Sequence, residues 1–136
     1  MPTLPWITAA TPDPATRAVV MASRLELRSR AQVPRFFWKS LLALRQARKA
    51  PGALGVTLVA EPLRGVFWTL SAWENEQAVH AYARAEPHRS IMRELGAVTR
   101  RSRFVFWTAP ADTLPIDWAE ARHRIAEAEA AAEAGA

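Results

Sequence analysis

Two runs of strand-forming residues, Leu54–Glu61 and Val66–Trp73, are separated by only Pro62-Leu63-Arg64-Gly65. A four-residue connection containing proline and glycine predicts an antiparallel hairpin. The runs are too apolar to stay wet, so whatever flanks them must cover them. Directly after Trp73 the pattern turns helical. Glu74 to Arg84 sets Ala78, Val79 and Tyr82 on one side; Pro87 interrupts; a second helix is predicted from His88 to about Leu95, with Gly96 as its stop.

The rest of the chain builds outward from this hairpin. Arg17 to Arg28 alternates, with Val19, Met21, Leu25 and Leu27 on one face and Arg24, Glu26 and Arg28 on the other, a half-buried strand. Val33-Pro34 opens a helix, since proline is tolerated in a first helical turn. Its expected core stripe is Phe37, Leu41 and Leu44, with Trp38 and Leu42 beside it, and Pro51-Gly52 stops it. Arg103 to Ala109 (RFVFWTA) is rich in aromatic and β-branched residues and predicts a fourth strand. A last helix runs from about Asp117 to Ala134. The order is β-α-β-β-α-β plus a C-terminal helix, so the expected class is α+β with a ferredoxin-like βαββαβ sandwich. Residues 1–17 hold Pro2, Pro5, Pro12 and Pro14 and predict an extended arm, which Trp6 and Ile7 could anchor. Residues 18–136 form the expected single domain.

Composition narrows the chemistry. The 136 residues include no cysteine, which excludes disulfides, thiolate metal sites and a thiol nucleophile. No apolar run approaches the ~18 residues of a membrane helix. The first residues lack the early charge and apolar core of a secretory signal, which points to a cytoplasmic location. No two of the three histidines stand at i,i+4 spacing and no carboxylate cluster accompanies them, so no metal site is expected. GxSxG, GxxxxGK and GxGxxG are absent. The formal charge of +5 is spread through every segment and reads as an arginine-rich surface.

Leu54, Val56, Leu58, Phe67, Phe104, Phe106 and Trp107 offer apolar surface on both faces of the predicted sheet. With helices on one face only, the other would stay bare. A homodimer packed sheet to sheet is therefore expected.

FWTLSAWENEQAV (Phe67 to Val79), EPHRSIMREL (Glu86 to Leu95), FVFWTAP (Phe104 to Pro110) and LPIDWAEARHRI (Leu114 to Ile125) resemble the dimeric α+β barrel superfamily. The likeness is to its antibiotic-biosynthesis-monooxygenase-like branch and to spheroidene-monooxygenase-like proteins. It implies a dimeric α+β barrel with a ligand held between helices and sheet. Some members are cofactor-free oxygenases, some degrade haem and some have no known activity. By resemblance His88 stands near the axial histidine of the haem-degrading branch, and Trp73 at the strand-end Trp-acidic motif of the oxygenases. Ser23 and Arg24 stand where the haem-degrading enzymes carry a pocket asparagine, and Tyr82 is the only tyrosine.

These pieces give the candidate site. His88, with Met92 and Leu95 at i+4 and i+7, is expected to point inward, and an imidazole suits a general base for a phenolic or enolic proton. Arg89 or Arg93 would stabilise the resulting anion. Trp38, Trp68, Trp73, Trp107 and Tyr82 would wall a pocket for a planar hydrophobic substrate, aromatic or polyene. Three readings follow: a monooxygenase without a cofactor, a haem-binding or haem-degrading protein with His88 on the iron, or a non-catalytic ligand-binding dimer. RNA-recognition domains share the strand order, but Val66, Phe67 and Ser71 depart from their third-strand motif. Nucleic acid is therefore not an expected partner.

Overall fold

The computed structural model describes residues 5–13 and 15–135, so Pro2 and Pro14 of the predicted arm and the final Ala136 lie outside the described residues. Its elements are β1 (Ile7–Thr8), β2 (Arg17–Leu27), α1 (Val33–Lys49), β3 (Ala53–Glu61), β4 (Val66–Trp73), α2 (Glu76–Arg84), α3 (His88–Val98), β5 (Thr99–Pro110) and α4 (Trp118–Ala134). The strands form one antiparallel sheet in the order β1-β3-β4-β2-β5. This is the α+β, ferredoxin-like arrangement, with a short arm strand added at one edge and a helix at the end.

Local chemistry sets the boundaries. α2 begins at Glu76 rather than Glu74 because Asn75 is extended and its side chain accepts from Ala78 N at 2.8 Å. Asp117 caps α4 the same way, accepting from Ala119 N at 3.0 Å. α3 does not stop at Gly96: it runs on to Val98, which packs beside Leu25 and Leu27. That burial outweighs a glycine penalty of about 1 kcal/mol within a helix. In α1 the buried stripe lies one residue earlier than expected. Phe36 and Ala47 are its buried side chains, with Ser40 and Ala43 between them, while Trp38 is 63% exposed. Small residues let the backbone approach the sheet, a feature that a search for large apolar residues overlooks.

Both sheet faces are covered within one chain. Leu25, Leu27, Leu58 and Phe67 lie on the face beneath α1 and α3. Val20, Ala22, Val59, Val66 and Leu70 lie on the opposite face, where Ile116 and the α4 residues Ala121 and Ile125 close over them. Trp6 lies so close to Gly55 that any Cβ there would collide with its indole. The central strand β4 is thus buried on both sides. The face that was expected to need a second copy is covered by the chain's own α4 and Trp6 instead. The large apolar side chains left exposed on the sheet are Phe104 and Phe106, both on β5.

Candidate functional site

The register sets hydroxyl groups into the sheet face beneath α1, α2 and α3. Ser23 on β2 pairs with Thr69 on β4, and Met21 with Ser71. Ser23 and Ser71 are buried, and the Ser23 and Thr69 hydroxyls share a hydrogen bond. Ser71 Oγ accepts from Trp73 Nε1 at 2.9 Å. Ser40, Ala43 and Leu44 of α1, Tyr82 of α2 and His88, Ile91 and Met92 of α3 face this floor. They enclose a cavity of about 90 Å³, with Phe104 of β5 also in its wall. The lining is apolar apart from His88, Tyr82 and the hydroxyls.

His88 is held from three directions. Its backbone N donates to Gln46 Oε1 at 2.8 Å, and Gln46 Nε2 donates to Tyr82 O at 3.2 Å. One α1 side chain thus ties the α2–α3 junction in place. The His88 ring meets the Tyr82 ring at 4.5 Å between centres, and Tyr82 meets Trp73 at 5.0 Å. His88 Nδ1 lies 3.2 Å from Ala83 O. A carbonyl only accepts, so Nδ1 carries the hydrogen and Nε2 is left as the free basic nitrogen. Burial lowers the His88 pKa from its ordinary value, and the Ala83 hydrogen bond opposes that in part. The ring is therefore neutral near pH 7, the form a base needs. Tyr82 is the opposite case. Burial pushes its phenol far up, and its OH donates to Ala43 O at 2.9 Å, so it stays protonated.

The expected site residues divide. His88 and Tyr82 line the cavity, and Trp73 backs Tyr82 from the core. Trp68 lies on the opposite sheet face, packed beneath α4, and Trp107 packs against the same cluster. Trp38 faces outward. Arg89 and Arg93 are exposed on α3 and do not line the cavity. The floor hydroxyls and Gln46 were missed in the sequence. Alternation would have found the former: in VFWTLSAW, Phe67, Thr69, Ser71 and Trp73 share one face, and two polar residues on an inward face mark a pocket. Gln46 has no such signal, because its partners lie in α2 and α3. Among the described residues no group of histidines and carboxylates could hold a metal, and no helix is long and apolar enough to cross a membrane.

No model of a protein family matches the sequence, and no curated protein sequence does either. Solved structures do match. An antibiotic biosynthesis monooxygenase candidate from Nitrosomonas europaea superposes with a TM-score of 0.63 at 10% identity, over 74% of this chain and 94% of that one. A similar candidate from Bacteroides thetaiotaomicron gives 0.61 at 19%, over 74% and 96%. SnoaB, a cofactor-independent oxygenase from Streptomyces nogalater, gives 0.56 at 18%, over 74% and 100%. Nearly the whole of each neighbour finds its counterpart here, while part of this chain extends beyond the common core. The chain has the fold of the antibiotic-biosynthesis-monooxygenase-like α+β proteins.

Proposed function

We propose that the chain is a small monooxygenase that works without a cofactor, in the cavity between helices and sheet. Its substrate would be planar and apolar, aromatic or polyene, and would carry an acidified O–H or C–H. One observation carries the reading: a neutral His88, its Nδ1 hydrogen occupied by Ala83, lines an apolar cavity floored by hydroxyls. In the proposed reaction His88 Nε2 removes the substrate proton. The carbanion passes one electron to O₂, and the radical pair combines to form a C–O bond. The peroxide anion takes the proton back from the His88 imidazolium, and the hydroperoxide loses water with the second hydrogen of the same carbon to leave a carbonyl, so one oxygen atom enters the product and the other leaves as water. Ser23, Thr69 and Ser71 are the donors proposed to face the intermediate oxyanion. Arg89 and Arg93, being exposed, would contribute only a long-range positive potential.

The cavity volume restricts the ligand. At about 90 Å³ it is smaller than the ~150 Å³ apolar cavity that admits benzene. A planar substrate must therefore displace wall residues, and flexible Met92 and half-exposed Phe104 are the ones proposed to yield. Haem fits less well. The Nδ1–carbonyl bond would suit an axial histidine, but haem, larger than a three-ring substrate, would require still more of the wall of this cavity of about 90 Å³ to move. The expected homodimer is proposed on a different surface, the exposed edge strand β5.

The test is aerobic incubation with an anthrone-type substrate in buffer free of metal and flavin. One O₂ should be consumed per carbonyl product, and His88→Ala should lower the rate at least tenfold. Saturable binding with no oxygen uptake would reduce the chain to a ligand-binding protein. An unchanged rate in His88→Ala would remove the base.

A further inference from the structure

The opposite sheet face carries a cluster that the cavity chemistry does not use. Arg24 on β2 stands directly across from Arg103 on β5 and from Trp68 on β4. Like charges as cross-strand neighbours repel. A third arginine, Arg122, descends from α4, and its guanidinium carbon lies 5.0 Å from the centre of the Trp68 ring; that of Arg24 lies 5.4 Å away. The indole attracts both cations but accepts none of their N–H groups in the ring plane. Acids nearby are engaged elsewhere or stand apart. Glu129 pairs with Arg101 and Glu120 with Arg124. Glu26 shares the β2 face with Arg24 without forming an ion pair. Among the described residues, none of Arg24, Arg103 and Arg122 has a carboxylate partner within the 4.0 Å of an ion pair.

The donors here are also unpartnered. Arg103 Nε, Arg122 Nε and Trp68 Nε1 are buried with no acceptor, and Trp68 is only 9% exposed. Buried N–H groups are nearly always paired. Two arginine Nε groups and an indole N–H that lack an acceptor, with the Arg24 cation beside the same indole, describe a place where an acceptor of multiple negative charge belongs.

We propose that Arg24, Arg103, Arg122 and Trp68 form an anion site between β2, β5 and α4 that takes the phosphate group of a small molecule. Guanidinium forks match oxyanions in pairs of parallel hydrogen bonds. Three cations suit a dianion better than a single carboxylate. Inorganic phosphate and a phosphate ester share this chemistry. The site lies across the sheet from His88, so it stands or falls independently of the oxygenase reading.

The experiment is calorimetric titration of the full chain with inorganic phosphate, with phenyl phosphate, and with sodium chloride at matched ionic strength. Saturable phosphate binding, weakened at least tenfold in both Arg103→Gln and Arg122→Gln, is expected. Tighter binding of phenyl phosphate would identify an organic phosphate as ligand, and equal binding the free ion; both support the site. Thermal unfolding supplies a second readout. Without phosphate, Arg103→Gln should melt no lower than the parent, because it removes a repulsion, and phosphate should stabilise the parent alone. A chloride response equal to that of phosphate, or unaltered phosphate binding in both variants, would overturn the proposal. So would a single-stranded oligonucleotide that outcompetes phenyl phosphate by a hundredfold through the same arginines.

Discussion

At His88 one residue couples stability to the proposed reaction. Its folded pKa lies below the ordinary value of 6.5 because burial disfavours the imidazolium. The neutral ring is the form the fold favours. Its contribution is therefore complete above the unfolded pKa and is lost as pH falls through the folded one. The melting temperature should fall as pH drops below 6.5, and His88→Gln should flatten that fall; an equal fall in the variant would show that another group is responsible. The residue was legible in the sequence because Met92 and Leu95 follow it at helical spacing. What it touches was not. Ala83, Gln46 and Tyr82 reach it through the α2–α3 junction and from α1, and no periodicity records such contacts. Trp68 and Trp107 show the reverse failure. Their aromatic character suggested a pocket wall, whereas strand alternation places them on the face opposite His88.

Among the elements, α4 changes the account most. Its amphipathic signal is weak, with a long alanine tail, and the sequence suggested only a closing helix. In the fold, Ala121 and Ile125 are fully buried against the sheet. Ile125→Ala should cost about 2–5 kcal/mol, read from denaturant unfolding; a loss below 0.5 kcal/mol would mean that α4 is not seated there. A chain ending before Trp118 should expose Val20, Leu70 and Trp68 and self-associate, which sedimentation would detect. The hairpin β3–β4 was the most legible element. Its four-residue turn left little choice of pairing, and Gly65 supplies the positive φ of 65° that the turn needs. α1 was legible in extent but not in facing, because Ser40 and Ala43 line the cavity while larger neighbours only flank it.

For the whole molecule, strand order and fold class followed from the alternation of periods and were legible almost throughout. The assembly was not, since it depended on which element covers the second sheet face. With α4 in place, self-association is proposed at β5, an edge strand of 12 residues that exposes Phe104 and Phe106. Antiparallel pairing of two such strands along their full length would set Arg100 and Arg101 of one copy opposite Ala109 and Thr108 of the other, avoiding like charges. Light scattering at micromolar concentration should give a dimeric mass that Phe106→Asp reduces to a monomer. A monomeric parent would refute this interface.

The proposed function turns on His88 acting as a base in a largely apolar cavity. Its most direct test is the pH dependence of kcat/KM for oxygen consumption with an anthrone-type substrate. Activity requires neutral His88, so the acid limb should fall below pH 6.5, following the lowered pKa, and should disappear in His88→Gln along with most of the rate. An acid limb at or above pH 6.5, or one that persists in a fully active His88→Gln, would contradict it.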